Sequence, residues 1–176
     1  INRSFAKSLQ AGTPTRMRAS LVVIPTYNEA ESIGEILTAL KLIDCDVLVV
    51  DDGSPDGTAQ IVRELGVEVV QRQGKQGLGS AYRAGFSLAI DRGYTYIIQM
   101  DADGSHRVED LPAMFAAIKP GKSITLGTRW IPGGSVVNWP KSRQALSKAG
   151  TRYAKLALGI NLNDLTGGFR IYSVEL

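Results

Sequence analysis

L-V-V-I-P-T-Y-N-E at residues 21–29 and V-L-V-V-D-D-G-S-P-D-G at residues 47–57 are two short apolar runs, each breaking into polar, turn-forming residues. Four consecutive aliphatic residues bounded by turn signals have the length and composition of a buried strand. Pro25 lacks a ladder donor and is expected to stop the first strand. Between the runs, Ile33, Ile36, Leu37 and Leu40 recur at the i, i+3, i+4, i+7 spacing of a helix packed on a sheet. Asn28 and Glu31 stand three apart, the spacing of an N-cap and its capping-box acid. A short helix carrying Ile61, Val62 and Leu65, closed by Gly66, leads to a third strand, Val67-Glu68-Val69-Val70. Strand, helix, strand, helix, strand in this order is a βαβαβ half on a parallel sheet.

Ligands of such sheets bind beyond the carboxyl ends of the strands. A fourth strand, Tyr96-Ile97-Ile98, runs into Asp101-Ala102-Asp103 before Gly104 lets the chain turn. Side chains two apart on an extended backbone point to one side, so the two carboxylates leave together, within reach of one divalent cation. A lone D-x-D is also compatible with two solvated loop aspartates or a helix cap. Convergence favours a site: Tyr27-Asn28-Glu29, Asp51-Asp52 and Asp101-Ala102-Asp103 all face one crevice. The loop Gly74-Lys75-Gln76-Gly77-Leu78-Gly79 opens the next helix (Ala81, Tyr82, Phe86, Leu88, Ala89), a place where phosphate can be cradled. A dinucleotide fingerprint would follow the first strand, where Pro25 stands instead, which argues against a Rossmann dehydrogenase.

Further along, 111–118 reads as helix and 123–126 as a strand ending in G-T-R-W (127–130). Residues 131–140 hold two prolines, two glycines and Trp139 and read as a mobile loop. Residues 142–158 read as an amphipathic helix, with Leu146, Ala149, Tyr153, Leu156 and Ala157 on one side and Lys148, Arg152 and Lys155 on another. Arg143 and Ser147 share a face in its first turns, near the helix's positive end, a combination suited to a phosphate monoester. An ordinary surface helix is the competing reading. The final strand ends the stretch 163–172.

Charge is distributed unevenly. Residues 1–110 hold 11 basic and 15 acidic side chains, whereas residues 111–163 hold eight basic and no acidic ones. Such a block implies an anionic partner, or else a solvated basic face. Nucleic acid is not expected, because the block lacks repeated aromatics and the acidic crevice would repel a phosphate backbone. With 176 residues, 44% of them apolar, the chain is expected to be one domain over residues 20–176, preceded by a flexible tail at 1–19. It opens on Ile rather than Met, and its start is read as trimmed. Cys45 is the single cysteine, so no intrachain disulfide forms and a reducing compartment fits. No apolar run approaches the roughly 18 residues of a membrane span, and no signal-peptide core is present, so a soluble cytoplasmic domain is the default.

P-T-Y-N-E (25–29), V-V-D-D-G-S-P-D-G-T (49–58), G-K-Q-G-L-G-S-A-Y (74–82), M-D-A-D-G-S-H (100–106), G-T-R-W (127–130) and T-G-G-F-R-I-Y (166–172) occur in that order. Together they closely resemble the polyprenol-phosphate (dolichol-phosphate) mannosyltransferases, inverting glycosyltransferases of GT-A fold. P-x-Y-N-E and D-x-D mark the wider glycosyltransferase family; Ser105-His106-Arg107, G-T-R-W and W-P-K-S-R (139–143) narrow it to the polyprenol-phosphate branch. The run 133–143, G-G-S-V-V-N-W-P-K-S-R, is similar to actinobacterial members.

The resemblance implies a Rossmann-like, mostly parallel sheet with helices on both faces. It implies that Pro25, Tyr27, Glu29, Val50 and Asp52 hold the nucleotide and that Asp101, Ala102 and Asp103 contact the donor. Asp101, Asp103 and, more weakly, Ser105 would hold Mg²⁺ or Mn²⁺. Arg129, Arg143 and Ser147 match positions that receive the phosphates of donor and lipid acceptor, with Arg129 acting alongside the aspartates in catalysis. Members of the branch continue past the G-F-R-x-Y strand into a further basic segment, and the chain is expected to lack it.

The implied reaction transfers mannose from GDP-mannose to a polyprenyl or dolichyl monophosphate in the membrane, with inversion at C1. A phosphate monoester is already mostly anionic near neutral pH, so no general base is needed, and His106 reads as structural. Alternatives are transfer of glucose or another sugar from a UDP-sugar to the same lipid, transfer to a glycan hydroxyl, and a non-catalytic sugar-nucleotide binder. The expected location is the inner face of the cell membrane, peripherally, with a fused or separate membrane-anchored partner compatible with the resemblance.

Overall fold

The computed structural model describes residues 17, 19–119, 121, 124–128, 140–159, 164 and 167–174. In chain order the elements are β1 (Ser20–Thr26), α1 (Ile33–Leu40), β2 (Asp46–Asp51), α2 (Thr58–Glu64), β3 (Glu68–Gln71), α3 (Leu78–Asp91), β4 (Tyr96–Gln99), α4 (Leu111–Ala116), β5 (Ile124–Leu126), α5 (Lys141–Leu158) and β6 (Arg170–Ser173). One 3₁₀ turn, Val108–Asp110, leads into α4. The strands form one sheet of order β3-β2-β1-β4-β6-β5, in which β3, β2, β1 and β4 are parallel and β6 runs antiparallel to both its neighbours. This is the α/β architecture expected from the alternating pattern, closed by an antiparallel edge.

β1 lies inside the sheet and every one of its residues is buried. Its side chains alternate between two cores. Val22 and Ile24 join Ile33, Ile36, Leu37 and Leu40 of α1, with α2 and α4 on the same face. Leu21 and Val23 point the other way, into a smaller core with Ala81, Tyr82 and Ala89 of α3. Helix α3 crosses β1 so closely that a Cβ at Gly85 would lie 2.3 Å from Cγ1 of Val23.

Pro25 acts differently from the expectation. β1 does not stop there: it runs on to Thr26, with Pro25 opposite Val50 and Thr26 opposite Asp51 of β2. What ends is pairing with β4, whose last partners are Val23 and Gln99. Val23 accepts from Met100 on the β4 side and Thr26 accepts from Asp52 on the β2 side. With a period of two, the missing N–H of Pro25 therefore faces β4. The proline breaks one ladder and leaves the other intact, so the sheet opens between the ends of β1 and β4.

The expected capping box also fails to form. Helix α1 begins at Ile33 behind Ser32, and Asn28 instead sits in the left-handed region at φ 61°. The amides of Ser32 and Ile33 turn back to the Glu29 carbonyl at 3.1 and 2.9 Å, so residues 28–32 form a tight turn ahead of the helix. Within the stretch expected as a tail, Met17 is fully buried and the Ala19 carbonyl accepts the amides of Thr95 and Tyr96. Residues 1–16 and 18 lie outside the described residues, as do 129–139. Burial, helped by Asp46 and Asp44, pushes the Cys45 thiol up to about 12, which keeps it protonated and unreactive.

Replacing Gly85 by Ala should push α3 off β1 and lower stability by about 1–3 kcal/mol, the scale of overpacking a tight core. Thermal and urea unfolding of the Gly85→Ala variant would measure this; an unchanged midpoint would show that α3 can shift without cost.

Candidate active site

The opening between β1 and β4 is a cleft of about 300 Å³ lined by Pro25, Thr26, Tyr27, Glu29, Asp52, Lys75, Gly77, Leu78, Ala81, Asp101, Ala102 and Asp103. Its floor is the strand ends and its side wall is the loop leading into α3. Lys75 lies over the Tyr27 ring, its Nζ 4.2 Å from the centroid, a cation–π contact at the mouth.

The two loops after β1 and β2 are tied together through three consecutive amides. Asn28 N–H donates to Ser54 Oγ, Glu29 N–H to Thr58 Oγ1 and Ala30 N–H to Asp56 Oδ2, each at 3.0 Å. Each hydroxyl passes its own proton to a carboxylate: Ser54 to Asp51 at 2.5 Å and Thr58 to Asp56 at 2.6 Å. Thr26 Oγ1 also donates to Asp51, at 2.8 Å, which accounts for the full burial of that acid. Tyr27 and Glu29 are thus held on backbone fixed from beneath.

Asp52 is committed to the glycine-rich loop. One carboxylate oxygen, Oδ2, accepts the amides of Gln76 and Gly77, both at 2.9 Å. The other accepts Arg72 Nε at 2.6 Å, while Arg72 Nη2 closes the ion pair and reaches the Gly77 carbonyl at 3.2 Å. The amides expected to cradle an external phosphate are therefore satisfied by an internal carboxylate.

Asp101 and Asp103 face the cleft with separate supports. Tyr82 Oη donates to Asp101 Oδ1 at 2.6 Å, and the Asp101 amide donates to His106 Nδ1 at 2.9 Å. The His106 ring stacks on Phe169, centroids 5.0 Å apart, and its Nε2 stands 3.7 Å from Asp101 Oδ2. A Cβ on Gly168 would lie 2.9 Å from Asp101 Oδ2 and 3.1 Å from the His106 ring, so only glycine lets that backbone pass. For Asp103, burial pushes the carboxyl upward, but the Ser105 hydroxyl and amide, with His106, hold it below the ordinary aspartate value. Asp103 is accordingly ionised at neutral pH. Burial, the Asp101 charge and the hydrogen bond it gives drive the Tyr82 hydroxyl far upward, so it remains a donor.

Among the described residues no group of three or more His, Cys, Asp or Glu is placed to hold a metal ion by itself. Two carboxylates at the mouth of a cleft fit a hard cation that takes its remaining oxygens from water and a ligand's phosphates, as Mg²⁺ commonly does. Ser105 stands beside them, its amide and hydroxyl turned to Asp103. Of the expected donor-binding residues, Pro25, Tyr27, Glu29, Asp52, Asp101, Ala102 and Asp103 share the cleft. Val50 does not: it is fully buried in the core under α3. Ser147 is buried on α5, the side chain of Arg143 is outside the described residues, and so is Arg129 altogether.

Residues 21–176 match the profile of glycosyl transferase family 2. The chain belongs to this family. It is 45% identical over 162 residues to the undecaprenyl-phosphate mannosyltransferase of Micrococcus luteus, covering 88% of this chain and 66% of that protein. Identity to the polyprenol monophosphomannose synthase of Mycolicibacterium smegmatis is 43% over 167 residues, covering 89% of this chain and 62% of that one. The chain thus spans just under two thirds of the length of either relative. Among solved structures, mannosyl-3-phosphoglycerate synthase from Rubrobacter xylanophilus superposes with a TM-score of 0.66 at 19% identity, covering 98% of this chain and 62% of that one. That likeness places the sheet and its helices in the GT-A fold.

One element of this family 2 domain is turned the opposite way from an ordinary packed helix. On α5 the polar Ser147 and Thr151 are buried, whereas Leu146, Tyr153 and Leu156 are 74%, 75% and 80% exposed. The apolar stripe found by periodicity faces away from the protein. Sequence reasoning also missed Ser54, Asp56, Thr58, Arg72 and Tyr82 as supports of the site. The turn-rich run 51–58 was a signal for the first three, since Asp and Ser or Thr at these spacings bond nearby amides.

Asp56 offers a pH test of the loop junction. The Thr58 hydroxyl, the largest influence, holds its carboxyl below the ordinary aspartate value; burial opposes it, and the amides of Ala30 and Thr58 add to the lowering. A depressed folded pKa contributes stability that is complete above the unfolded value, about 3.9, and is lost as pH falls through the folded one. Asp56→Asn should therefore melt lower than wild type near neutrality, with the gap closing below about pH 4. Melts across that range check it; a gap constant at all pH values would remove the charge from the account.

Proposed function

We propose that this glycosyltransferase moves mannose from GDP-mannose to a polyprenyl monophosphate, inverting the configuration at C1. The observation carrying the reading is that Asp101 and Asp103 open onto the same cleft as Tyr27, Glu29 and Asp52. The relatives named as undecaprenyl-phosphate mannosyltransferase and polyprenol monophosphomannose synthase support the choice of sugar and lipid. Because the chain spans part of those proteins, activity of the whole protein belongs to the proposal.

In this reading the nucleotide end lies along Pro25, Tyr27, Glu29 and Asp52, with the sugar diphosphate reaching Asp101, Ala102 and Asp103. A divalent cation, Mg²⁺ or Mn²⁺, held by Asp101 and Asp103 with Ser105 beside them would offset the charge growing on the departing diphosphate. Arg129 would add positive charge at the same place. Arg143 and Ser147 would receive the lipid phosphate. The phosphate oxygen forms its bond to C1 on the face opposite the leaving group, and GDP departs with the bonding pair. No proton moves, because the attacking oxygen is already anionic near neutral pH. His106 Nδ1 is occupied by the Asp101 amide, consistent with a supporting place rather than a base.

Asp103→Ala should lower cation-dependent transfer by about 10²-fold or more, the scale of removing a group that meets developing charge, with the melting transition retained. Product analysis with GDP-mannose, GDP-glucose and UDP-glucose, a short prenyl phosphate and added chelator reads this. Turnover undiminished in the variant, or unaffected by chelator, would defeat the assignment of the cation site.

We further propose that α5 brings the site to an anionic membrane surface, which the greasy acceptor requires. No helix among the described residues is long and apolar enough to cross a bilayer. The exposed Leu146, Tyr153 and Leu156, on a helix that also carries Arg152 and Lys155, suit a peripheral location with the apolar side in the interface. At the cytoplasmic leaflet the basic residues would add attraction to anionic lipids. Replacing Leu146 and Leu156 together by Asp should abolish flotation on vesicles containing phosphatidylglycerol. Flotation equal to wild type would exclude α5 as the contact.

A further inference from the structure

A row of polar side chains with aligned donors runs from β6 to the Asp101 carboxylate. Arg170 Nη1 lies 3.4 Å from Tyr172 Oη, and Tyr172 Oη donates to Gln99 Oε1 at 2.9 Å. Gln99 also acts on the Tyr82 hydroxyl from the donor side, and that hydroxyl itself donates to Asp101 Oδ1 at 2.6 Å. A hydroxyl has one proton to give, and a carboxamide has one acceptor side and one donor side. With Tyr172 giving its proton to the Gln99 oxygen, the Gln99 amide group is the side turned to Tyr82. Every donor in the series therefore points toward Asp101.

The chain is mechanically fixed. Tyr82 is buried, its ring 5.9 Å from that of Phe86, and Phe86 lies edge-on to Tyr172 at 5.2 Å. Three elements thus hold one hydroxyl: α3 carries Tyr82, β4 carries Gln99 and β6 carries Tyr172. On the other side of the carboxylate, the Gly168 backbone and the His106 ring limit where Oδ2 can go.

We propose that Tyr82 is a positioning residue for the donor site: with Gln99 and Tyr172 behind it, it engages Oδ1 and leaves Asp101 to present a divalent cation with one oxygen, Oδ2. The inference rests on the reading that Asp101 and Asp103 hold that cation. It gives the G-F-R-I-Y strand a part in the site that involves no contact with substrate. Without the Tyr82 hydroxyl Oδ1 loses its fixed partner, and the carboxylate is no longer held in the orientation that leaves Oδ2 for the cation. Loss of an outer partner of this kind typically costs about 10–100-fold in cation affinity.

The test is direct Mn²⁺ binding to the whole chain with GDP present, followed by electron paramagnetic resonance, for wild type, Tyr82→Phe, Tyr172→Phe and Asp103→Ala. The expected result is Mn²⁺ affinity about 10–100-fold weaker in Tyr82→Phe, with a smaller loss in Tyr172→Phe. Both should keep the wild-type melting transition without cation. Wild-type affinity in Tyr82→Phe, while Asp103→Ala binds no Mn²⁺, would overturn the role of Tyr82 and leave the cation site standing. No binding by wild type, or full binding by Asp103→Ala, would bring down the cation reading and this inference with it. Should Tyr82→Phe fail to fold, Tyr172→Phe decides: weakened binding supports the chain of donors, and unchanged binding overturns it.

Discussion

A single absent backbone donor organises this domain. The missing N–H of Pro25 faces β4, so pairing between β1 and β4 ends at Val23, three residues before pairing between β1 and β2 ends at Thr26. A continuous parallel ladder would have drawn the two strand ends together. Because the ladder stops on one side only, Tyr27 and Glu29 diverge from Asp101 and Asp103, and the gap between them is the cleft. The general tendency of α/β sheets to bind ligands where neighbouring crossovers part is here traceable to one imino acid.

Carboxylates then set the edges of that gap by taking up backbone amides. Asp51, through Ser54, and Asp56, with Thr58, hold the turn carrying Tyr27 and Glu29. The loop before α3 is held by Asp52 through Gln76, Gly77 and Arg72. A buried acid is costly unless it is hydrogen-bonded, and of these the two buried ones are supplied: Asp51 by Thr26 and Ser54, Asp52 by Arg72, Gln76 and Gly77. The acids at the floor of the site are thus divided: some spend their charge on architecture, and Asp101 and Asp103 face the opening.

Much of this could be read from the residues before any coordinates. The strands at 21–24, 47–50 and 96–98 and the helix through Ile33 and Leu40 follow from apolar spacing, which reports burial directly. The paired aspartates were legible because two-residue alternation is a property of the backbone. Less visible was anything that depends on which partner a polar group finds. Asn28 and Glu31 had the spacing of a cap, yet the Asn28 amide found Ser54, a residue 26 positions on. Val50 matched a motif, but its side chain belongs to the core under α3. For α5 periodicity identified two faces without saying which one meets the protein, since a helical wheel carries no information about what lies beside it. Tyr82 read as an ordinary apolar-face residue of α3; its hydroxyl meets Asp101, 19 positions on, which no spacing within the helix could announce.

The pairing of Asp52 with two amides and a guanidinium has an electrical consequence for the cleft. That wall is compensated before any ligand arrives, whereas the opposite end carries the uncompensated charge of Asp101 and Asp103. Entry along the compensated wall is governed by shape and by the face of Tyr27, with little response to dissolved ions. At the aspartate end, exposed charge is screened over roughly 8–10 Å at ordinary ionic strength. Salt should therefore act on the two halves of the cleft unequally, weakening attraction of positive charge to the aspartate end and acting little along the Asp52 wall.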